Sequence, residues 1–332
     1  MKALLSIEPG GPDTLRLAAI PVPEPRAGEL RVRVIACGIN YPDVLIIEDK
    51  YQFRPPRPFA PGSEITGEVV AVGEGVTGWK PGDRLIALLR DGGGLAEQAI
   101  VNAAAAIRLQ PESDPVQGAG LLFTYATTLH ALADRGRLEA GQTLLVLGAA
   151  GGVGLAAIEI GKTMGATVVA AVSDTKKADM AASAGADRTL VYERGPFDKA
   201  GLRELAALFK DGVGSEGAHV VYDPVGGDYT EAALRAISWE GRYLVVGFPA
   251  GIPRLPLNLP LLKGCDVCGI FWGGFMEREP ARHRRHVSQL LEWWAQGRIQ
   301  PRIDKVYPLA EGGAAIARLA ERSAIGKLVV CP

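Results

Sequence analysis

The segment from Thr143 to Gly154 constrains the fold more than any other part of the sequence. An apolar run, Thr143-Leu144-Leu145-Val146-Leu147, leads into Gly148-Ala149-Ala150-Gly151-Gly152-Val153-Gly154. A run without polar positions is typical of a parallel strand buried on both faces, and the glycines match a GxGxxG pattern with Ala149 in the first position. The segment predicts a strand, a tight turn and a helix whose N-terminus binds a pyrophosphate through Ala150, Gly151, Gly152 and Val153.

The sequence changes character near residue 120. Before it, short β-rich runs such as 30–34 and 66–73 are separated by Pro-Gly pairs, which predicts a partly open, mainly β domain. After it, apolar strands alternate with helices, the pattern of a parallel sheet covered by helices. We predict strands over 143–147, 167–172, 188–191, 219–222, 242–246 and 265–272, and helices over 153–164, 177–184, 198–210, 228–237, 281–296 and 314–322.

The composition excludes several classes of function. The chain has 332 residues and a net charge of −1, so it lacks the basic field with which proteins bind nucleic acids or membrane surfaces. It contains no apolar run near the ~20 residues that cross a bilayer. Its four cysteines are scattered, which indicates a reducing compartment, and we expect a cytoplasmic protein.

The end of the second predicted strand decides between the two nicotinamide dinucleotides. NAD-binding folds of this kind place an acidic residue there for the ribose 2′-hydroxyl, whereas this chain has Val172-Ser173-Asp174-Thr175-Lys176-Lys177. If the strand ends at Val172, Ser173 leaves room for a 2′-phosphate that Lys176 or Lys177 can neutralise. If it is two residues longer, Asp174 is the NAD-type acid. We predict NADPH as the cofactor, with NAD through Asp174 as the alternative.

Motifs along the whole chain resemble one superfamily. They are Gly38-Ile39-Asn40-Tyr41-Pro42-Asp43, Pro61-Gly62-Ser63-Glu64-Ile65-Thr66-Gly67, Gly82-Asp83-Arg84, Tyr125-Ala126-Thr127-Thr128, Ala149 to Gly154, Tyr222-Asp223-Pro224-Val225-Gly226-Gly227 and the ending Gly326-Lys327. With them the chain resembles the medium-chain dehydrogenase/reductases, and most of all their NADPH:quinone reductase (zeta-crystallin-like) branch. The resemblance implies an α/β protein with a GroES-like β-rich catalytic domain (1–122 and 275–332) and a Rossmann domain with a doubly wound parallel sheet (123–274) that binds NADP.

The resemblance also implies which residues surround the cofactor. Ser173, Lys177 and Tyr192 would enclose the 2′-phosphate. The residues expected near the rest of the cofactor are Thr127, Phe248, Phe271, Trp272 and Lys327.

The chain departs from the zinc alcohol dehydrogenases of the same superfamily. Where those enzymes have a cysteine and a Gly-His-Glu motif for catalytic zinc, this chain has Asn40 and Ser63, and only Glu64 remains. His283 and His286 lie among arginines on a helix that we expect to face solvent. Because zinc takes Cys, His or carboxylate ligands in a tetrahedral set, we predict that the protein has no metal site.

Without a metal to polarise a plain carbonyl, the substrate must already be electrophilic through conjugation. We therefore predict an NADPH-dependent oxidoreductase that transfers a hydride to a quinone or another α,β-unsaturated carbonyl compound, without zinc. An acryloyl- or enoyl-CoA reductase and a cofactor-binding protein with little activity are the alternatives.

Hydrogen-bond donors for the developing oxyanion would come from Asn40, Tyr41 and Tyr51, while Asp43 orients Asn40 or its loop. Tyr51 resembles the tyrosine that enoyl thioester reductases use as a proton donor, and Tyr41 is the alternative. We also expect a homodimer formed by the edge strand 265–272, where Phe271 and Trp272 would be exposed.

Overall fold

The computed structural model describes residues 1–332, and the chain divides into two units. The first unit is made of both chain ends, Met1–Phe123 and Pro301–Pro332, and the second of Thr124–Gln300. None of the helices is both long and apolar enough to cross a membrane.

The N-terminal part of the first unit is mainly β. Its elements are β1 (Lys2–Leu5), β2 (Arg16–Ala19), β3 (Glu29–Ile39), α1 (Tyr41–Ile47), β4 (Glu64–Val72), β5 (Arg84–Leu88), β6 (Gln98–Asn102), β7 (Ile107–Arg108) and α2 (Pro115–Gly118). In β3, Leu30, Val32 and Val34 are buried while Arg33 is exposed, as the alternating side chains of a strand with one core face require.

The second unit alternates strands and helices. Its first element is α3 (Thr127–Leu129), the central turn of a helical stretch that starts at Leu122, still in the first unit, and ends at Arg135. Its further elements are β8 (Thr143–Leu147), α4 (Gly152–Thr163), β9 (Thr167–Val172), α5 (Thr175–Ser183), β10 (Arg188–Val191), α6 (Lys199–Val213), β11 (Ala218–Asp223), α7 (Tyr229–Arg235), β12 (Ile237–Val245), α8 (Asn258–Lys263), β13 (Asp266–Gly269), α9 (Trp272–Arg278) and α10 (Pro280–Ala295).

The C-terminal segment completes the first unit with β14 (Ile303–Pro308), α11 (Gly312–Ala320) and β15 (Lys327–Cys331). β15 pairs antiparallel with β3, so the last strand of the chain joins the sheet of the N-terminal part. This seven-stranded sheet has the order β14-β15-β3-β4-β5-β7, with β6 also paired to β3.

The six strands of the second unit form one parallel sheet in the order β10-β9-β8-β11-β12-β13. The chain winds outward from β8 to one edge and then from β11 to the other, which confirms the predicted doubly wound sheet. In such sheets ligands bind at the carboxyl ends of the strands where the winding direction reverses. Here that point lies between β8, the strand that leads into the glycine-rich turn, and β11, its neighbour in the sheet.

Most predicted elements of the second unit are confirmed, but the last predicted strand is wrong at its end. Strands 143–147, 167–172 and 188–191 match the structure residue by residue. β13 ends at Gly269, which pairs with Val245, the last residue of β12. Trp272 instead begins α9 and is buried, so only Phe271 of the expected exposed pair is exposed.

The division between the domains also differs from the expected one. Residues 275–300, expected in the catalytic domain, belong to the second unit, because their side chains pack there. Arg282 binds the carboxylate of Asp134 at 2.5 Å, and the Phe275 ring stacks on His130 with centroids 3.9 Å apart. His286, expected at the surface, is buried in this cluster, 3.6 Å from Asp134.

Candidate functional site

The glycine-rich turn lies between β8 and α4. α4 begins at Gly152, and its N-cap residue Gly151 places no side chain on the helix end. The first N–H groups of a helix have no acceptor within it, so this end can bind an anion, which the helix dipole also favours. A Cβ on Gly154 would lie 2.7 Å from the Cα of Ala149. This close approach confirms that the third glycine position allows the helix to pack against the turn.

The end of β9 presents a serine and a lysine. The strand ends at Val172, as the NADPH prediction requires. Lys177 Nζ donates to Ser173 Oγ at 3.1 Å. Asp174 is the N-cap residue of α5, and its carboxylate accepts the backbone N–H of Lys177 at 2.9 Å. Partial burial raises the pKa of Asp174, but this hydrogen bond and the Lys177 ammonium outweigh it and hold the pKa below its ordinary value.

The other residues expected around the cofactor in the second unit differ in their exposure. Phe248 and Phe271 expose 42% and 60% of their surface, so a ligand can reach them. Thr127 and Trp272 are buried. Tyr192 is buried against Tyr229, with ring centroids 5.1 Å apart, and burial raises the pKa of its phenol far above the ordinary value. Their contacts with a cofactor stay predictions.

Asp223 has a structural role that the sequence did not reveal. It is the last residue of β11, and its buried carboxylate accepts hydrogen bonds from the backbone N–H groups of Val225 and Gly226 at 2.8 and 2.9 Å. The hydroxyls of Thr230 and Tyr243 donate to the same carboxylate. A Cβ on Gly148 would lie 2.8 Å from Val225 Cγ2, so Asp223 fixes a turn that touches the glycine-rich turn. One signal in the sequence could have revealed this role: an acidic residue ends a parallel strand and is followed by Pro-Val-Gly-Gly.

In the first unit, three side chains from distant parts of the sequence form a buried cluster. Lys327 Nζ donates to Asn40 Oδ1 at 2.6 Å and to Glu64 Oε2 at 2.9 Å. Asn40 Nδ2 donates to Gly38 O and to Glu64 Oε2, both at 3.2 Å. The backbone N–H of Phe123 donates to Glu64 Oε1 at 2.9 Å. Lys327 therefore lies beside the predicted catalytic residue Asn40 and is part of the first unit.

Asp43 holds the start of α1 against the Pro61–Gly62 turn. Its carboxylate accepts the backbone N–H of Asn40 at 2.8 Å and that of Gly62 at 3.1 Å. Burial raises the pKa of Asp43 to about 6, against the lowering effect of these two hydrogen bonds. These contacts tie the loop of Asn40 to the Pro61–Gly62 turn through Asp43, whose part in the reaction stays a prediction.

The two candidate tyrosines lie before and after the body of α1: Tyr41 is its first residue, and Tyr51 follows the turn after its end. Both Tyr41 and Tyr51 are partly exposed. Burial, followed by the nearby charge of Asp43, raises the pKa of the Tyr51 phenol above its ordinary value. A phenol with a raised pKa is fully protonated at neutral pH and can donate a hydrogen bond or a proton.

The histidines, cysteines and acidic residues do not converge on a metal site. No group of three or more of these side chains is arranged to hold a metal ion. The four cysteines are free thiols. The Lys327 ammonium binds both Asn40 and Glu64, so the cation beside these two residues is supplied by the chain itself.

Comparisons with known proteins agree with this architecture. Residues 26–111 match the family model of the alcohol dehydrogenase GroES-like domain, and residues 152–293 match that of the zinc-binding dehydrogenases. The chain is 35% identical over 304 residues to the quinone oxidoreductase-like protein 2 homolog of Nematostella vectensis, which covers 91% of this chain and 81% of that protein.

Solved structures are similar over the whole chain. A probable oxidoreductase from Mycobacterium abscessus has a TM-score of 0.88 and 35% identity, covering 100% of this chain and 99% of that one. The Escherichia coli quinone oxidoreductase, solved in complex with NADPH, has a TM-score of 0.90 and 26% identity, with both chains covered completely.

Proposed function

The chain belongs to the quinone oxidoreductase branch of the medium-chain dehydrogenase/reductase superfamily, and from this membership we propose that it transfers a hydride from NADPH to a quinone or another α,β-unsaturated carbonyl compound, without a catalytic metal. The names of its relatives, and the NADPH bound to the Escherichia coli enzyme, support the substrate class and the cofactor.

The observation on which the proposal depends most is the pair formed by Ser173 and Lys177 directly after β9. With the strand ending at Val172, no carboxylate stands at its last position, and Asp174 is engaged in capping α5. The Lys177 ammonium lies 3.1 Å from Ser173 Oγ. The ammonium supplies positive charge for a 2′-phosphate, and the Ser173 hydroxyl supplies a second polar group. Charged hydrogen bonds to phosphate are stronger than neutral ones, which favours NADPH over NADH.

The uncapped N-terminus of α4 supports binding of the pyrophosphate of the same cofactor. Above Gly151, the nearest atom to an added Cβ is Gly148 O at 3.5 Å, so a ligand can approach this backbone closely. When bound, NADPH supplies the hydride. The residues of the chain bind it, exclude water and stabilise the charge that develops on the substrate oxygen.

The first unit supports a reaction that needs no metal. A conjugated acceptor is electrophilic at carbon, and its oxygen gains negative charge as the hydride arrives, so donors and fixed positive charge suffice. Tyr51, with its raised pKa, is our candidate for the proton donor, and Tyr41 is the alternative. Asp43 orients the loop on which Asn40 lies.

The CoA thioester alternative has less support. Arg57, a candidate for binding the CoA phosphates, is engaged within the chain: it donates to Asp49 at 2.8 Å and to the carbonyl of Ile47 at 2.9 Å. Arg54 and Arg254 are exposed, and no contact in the structure prepares them for a phosphate.

The proposed function is tested by following NADPH oxidation with purified protein against quinones, simple enones, enoyl-CoA thioesters and saturated ketones. We expect turnover with quinones and enones, none with saturated ketones, and the same rates after exhaustive treatment with a chelator. Turnover of the thioesters alone would replace the proposed substrate class. Activity that falls on chelation and returns with zinc would contradict the proposed metal-free reaction.

A further inference from the structure

The side chain of Lys327 reaches the interior of the first unit along a path left open by two glycines. A Cβ on Gly38 would lie 2.8 Å from Lys327 Cε, and one on Gly120 would lie 3.1 Å from Lys327 Cγ. The first distance is too short for any side chain. The residue is only 4% exposed, although lysine ammonium groups are almost never buried without a partner.

The hydrogen-bond inventory of the cluster shows that Asn40 has no donor left for a substrate. Its two amide hydrogens are used by Gly38 O and Glu64 Oε2, and its carbonyl oxygen accepts from Lys327. Glu64 receives three hydrogen bonds, from Asn40, Lys327 and Phe123. A carboxylate has no donor of its own.

Lys327 is the member of the cluster with a donor to spare. An ammonium has three N–H donors, and two of them bind Asn40 and Glu64. A buried charged group with an unfilled donor costs more free energy than a neutral one, so an acceptor oxygen that reached this N–H would be stabilised. The two existing bonds also hold the ammonium in position, so little entropy is lost when a ligand accepts the third.

We propose that the third N–H of Lys327 donates a hydrogen bond to the carbonyl oxygen of the substrate, and that Lys327, rather than Asn40, is the oxyanion donor of this site. The identity of that oxygen rests on the proposed function. Asn40 and Glu64 are then positioning residues, which hold the ammonium and spread its charge. Tyr51 keeps its separate role as the proton donor. Lys327, which the sequence analysis predicted to contact the cofactor, contacts the substrate instead in this proposal.

The test needs a variant that removes the ammonium without leaving the Glu64 carboxylate buried and unpaired. The double variant Lys327→Met/Glu64→Gln does this, because the amide of Gln can still accept from Phe123 and donate to Asn40. Lys327→Gln is a second variant that keeps a donor near Glu64, in case the double variant does not fold. Lys305→Met is the matched control: it removes one lysine charge from the same unit at an exposed position on β14.

The first readout is independent of hydride transfer. 4-Nitrophenol, whose phenolate oxygen mimics an enolate, is titrated spectroscopically in the presence of each protein. We expect binding to the parent and to Lys305→Met to lower the pKa of the phenol by about 1–3 units, as an adjacent cation does. The double variant should lose this shift. An equal shift in all three proteins, or none in the parent, would overturn the assignment.

The second readout is kinetic. With an enone at saturating NADPH, kcat of the double variant should fall by about 10²-fold, the loss that accompanies removal of one oxyanion donor, while its Kd for NADPH stays that of the parent. Parental kcat in the double variant would refute the role of Lys327. The proposed function and the Lys327 assignment can fail separately. If the parent protein shifts the nitrophenol pKa but does not oxidise NADPH with any acceptor tested, the proposed function is refuted and the Lys327 site is supported.

Discussion

Lys177 gives the most direct experimental access to cofactor choice. Only 12% of its side chain is exposed and it is hydrogen-bonded to Ser173, whereas the neighbouring Lys176 on α5 is exposed. Loss of a charge-assisted hydrogen bond costs roughly 1.5–3 kcal/mol. In fluorescence titrations, Lys177→Ala should therefore weaken NADPH binding by about tenfold or more and change NADH binding little.

Lys176→Ala is the control for this substitution and should leave both affinities nearly unchanged. If the parent protein binds NADPH and NADH equally well, the preference is absent, and Asp174 becomes the residue that determines how the ribose is bound.

Tyr51 should affect the reaction and not the binding of the cofactor. Tyr51→Phe keeps the ring and removes the hydroxyl, so Kd for NADPH should not change. Turnover of an enone should fall by about 10²-fold, the lower range for loss of a general acid, and turnover of a quinone should fall less because it is more electrophilic. Steady-state kinetics of Tyr51→Phe beside Tyr41→Phe measure this. Parental rates in Tyr51→Phe would transfer the proton-donor role to Tyr41.

The difference between Asn40 and Lys327 shows what single residues in a sequence can and cannot reveal. An asparagine beside a tyrosine predicts a donor, and the structure places Asn40 in the cluster. Its donors are nevertheless used within the chain because Lys327, 287 residues away in sequence, fixes the orientation of its amide. Such a pairing depends on β15 joining β3, and no local pattern around residue 40 contains that information.

The start of α4 separates the packing role of its glycines from their ligand role. A Cβ on Gly154 would lie 2.7 Å from Ala149 Cα, whereas the nearest atom to one on Gly151 is 3.5 Å away. Overpacking of this kind typically costs about 1–3 kcal/mol, so Gly154→Ala should lower the thermal midpoint of the protein without cofactor. Gly151→Ala should leave that midpoint unchanged but weaken NADPH binding, because its methyl group would lie where we expect the pyrophosphate to approach. A parental midpoint in Gly154→Ala would contradict this distinction.

The elements of the second unit were predictable to different degrees, for physical reasons. β8 and β9 are apolar runs bounded by glycines and polar residues, and their bounds follow from composition, while β10 is a short run between Asp187 and Glu193. The end of β13 does not follow from composition, because Phe271 and Trp272 have high strand propensity. The strand stops where β12 ends, at Val245 opposite Gly269, and tertiary packing then places Trp272 in a helix.

The assignment of α10 could not be made from its amphipathic pattern alone. The pattern shows that one face is buried but does not show against which unit. Asp134, buried on the helical stretch before β8, binds Arg282 and lies beside His286. This long-range ion cluster attaches the helix to the second unit.

The outer edges of the parallel sheet provide the test of assembly. β13 is an edge strand with unpaired backbone groups, and Val267 on it is 42% exposed. Leu261 and Leu262 on α8, directly before it, are 78% and 65% exposed. Edge strands beside exposed apolar side chains pair with other chains, and pairing about a two-fold axis gives a closed dimer. We therefore expect the homodimer interface to contain Val267, α8 and Phe271. Trp272, which was expected there from the sequence, is buried and does not contribute to it.

Light scattering at micromolar concentration should give a mass of twice 35.0 kDa. Val267→Lys places a charge on the β13 edge, a substitution that prevents edge pairing, and should shift the protein towards the monomer. Val191→Lys is the matched control, since Val191 is 44% exposed on β10, the strand at the opposite edge of the same sheet, and this variant should remain dimeric. A parental mass near that of one chain would contradict the dimer. Dissociation by Val191→Lys instead of Val267→Lys would show that the subunits associate through the β10 edge.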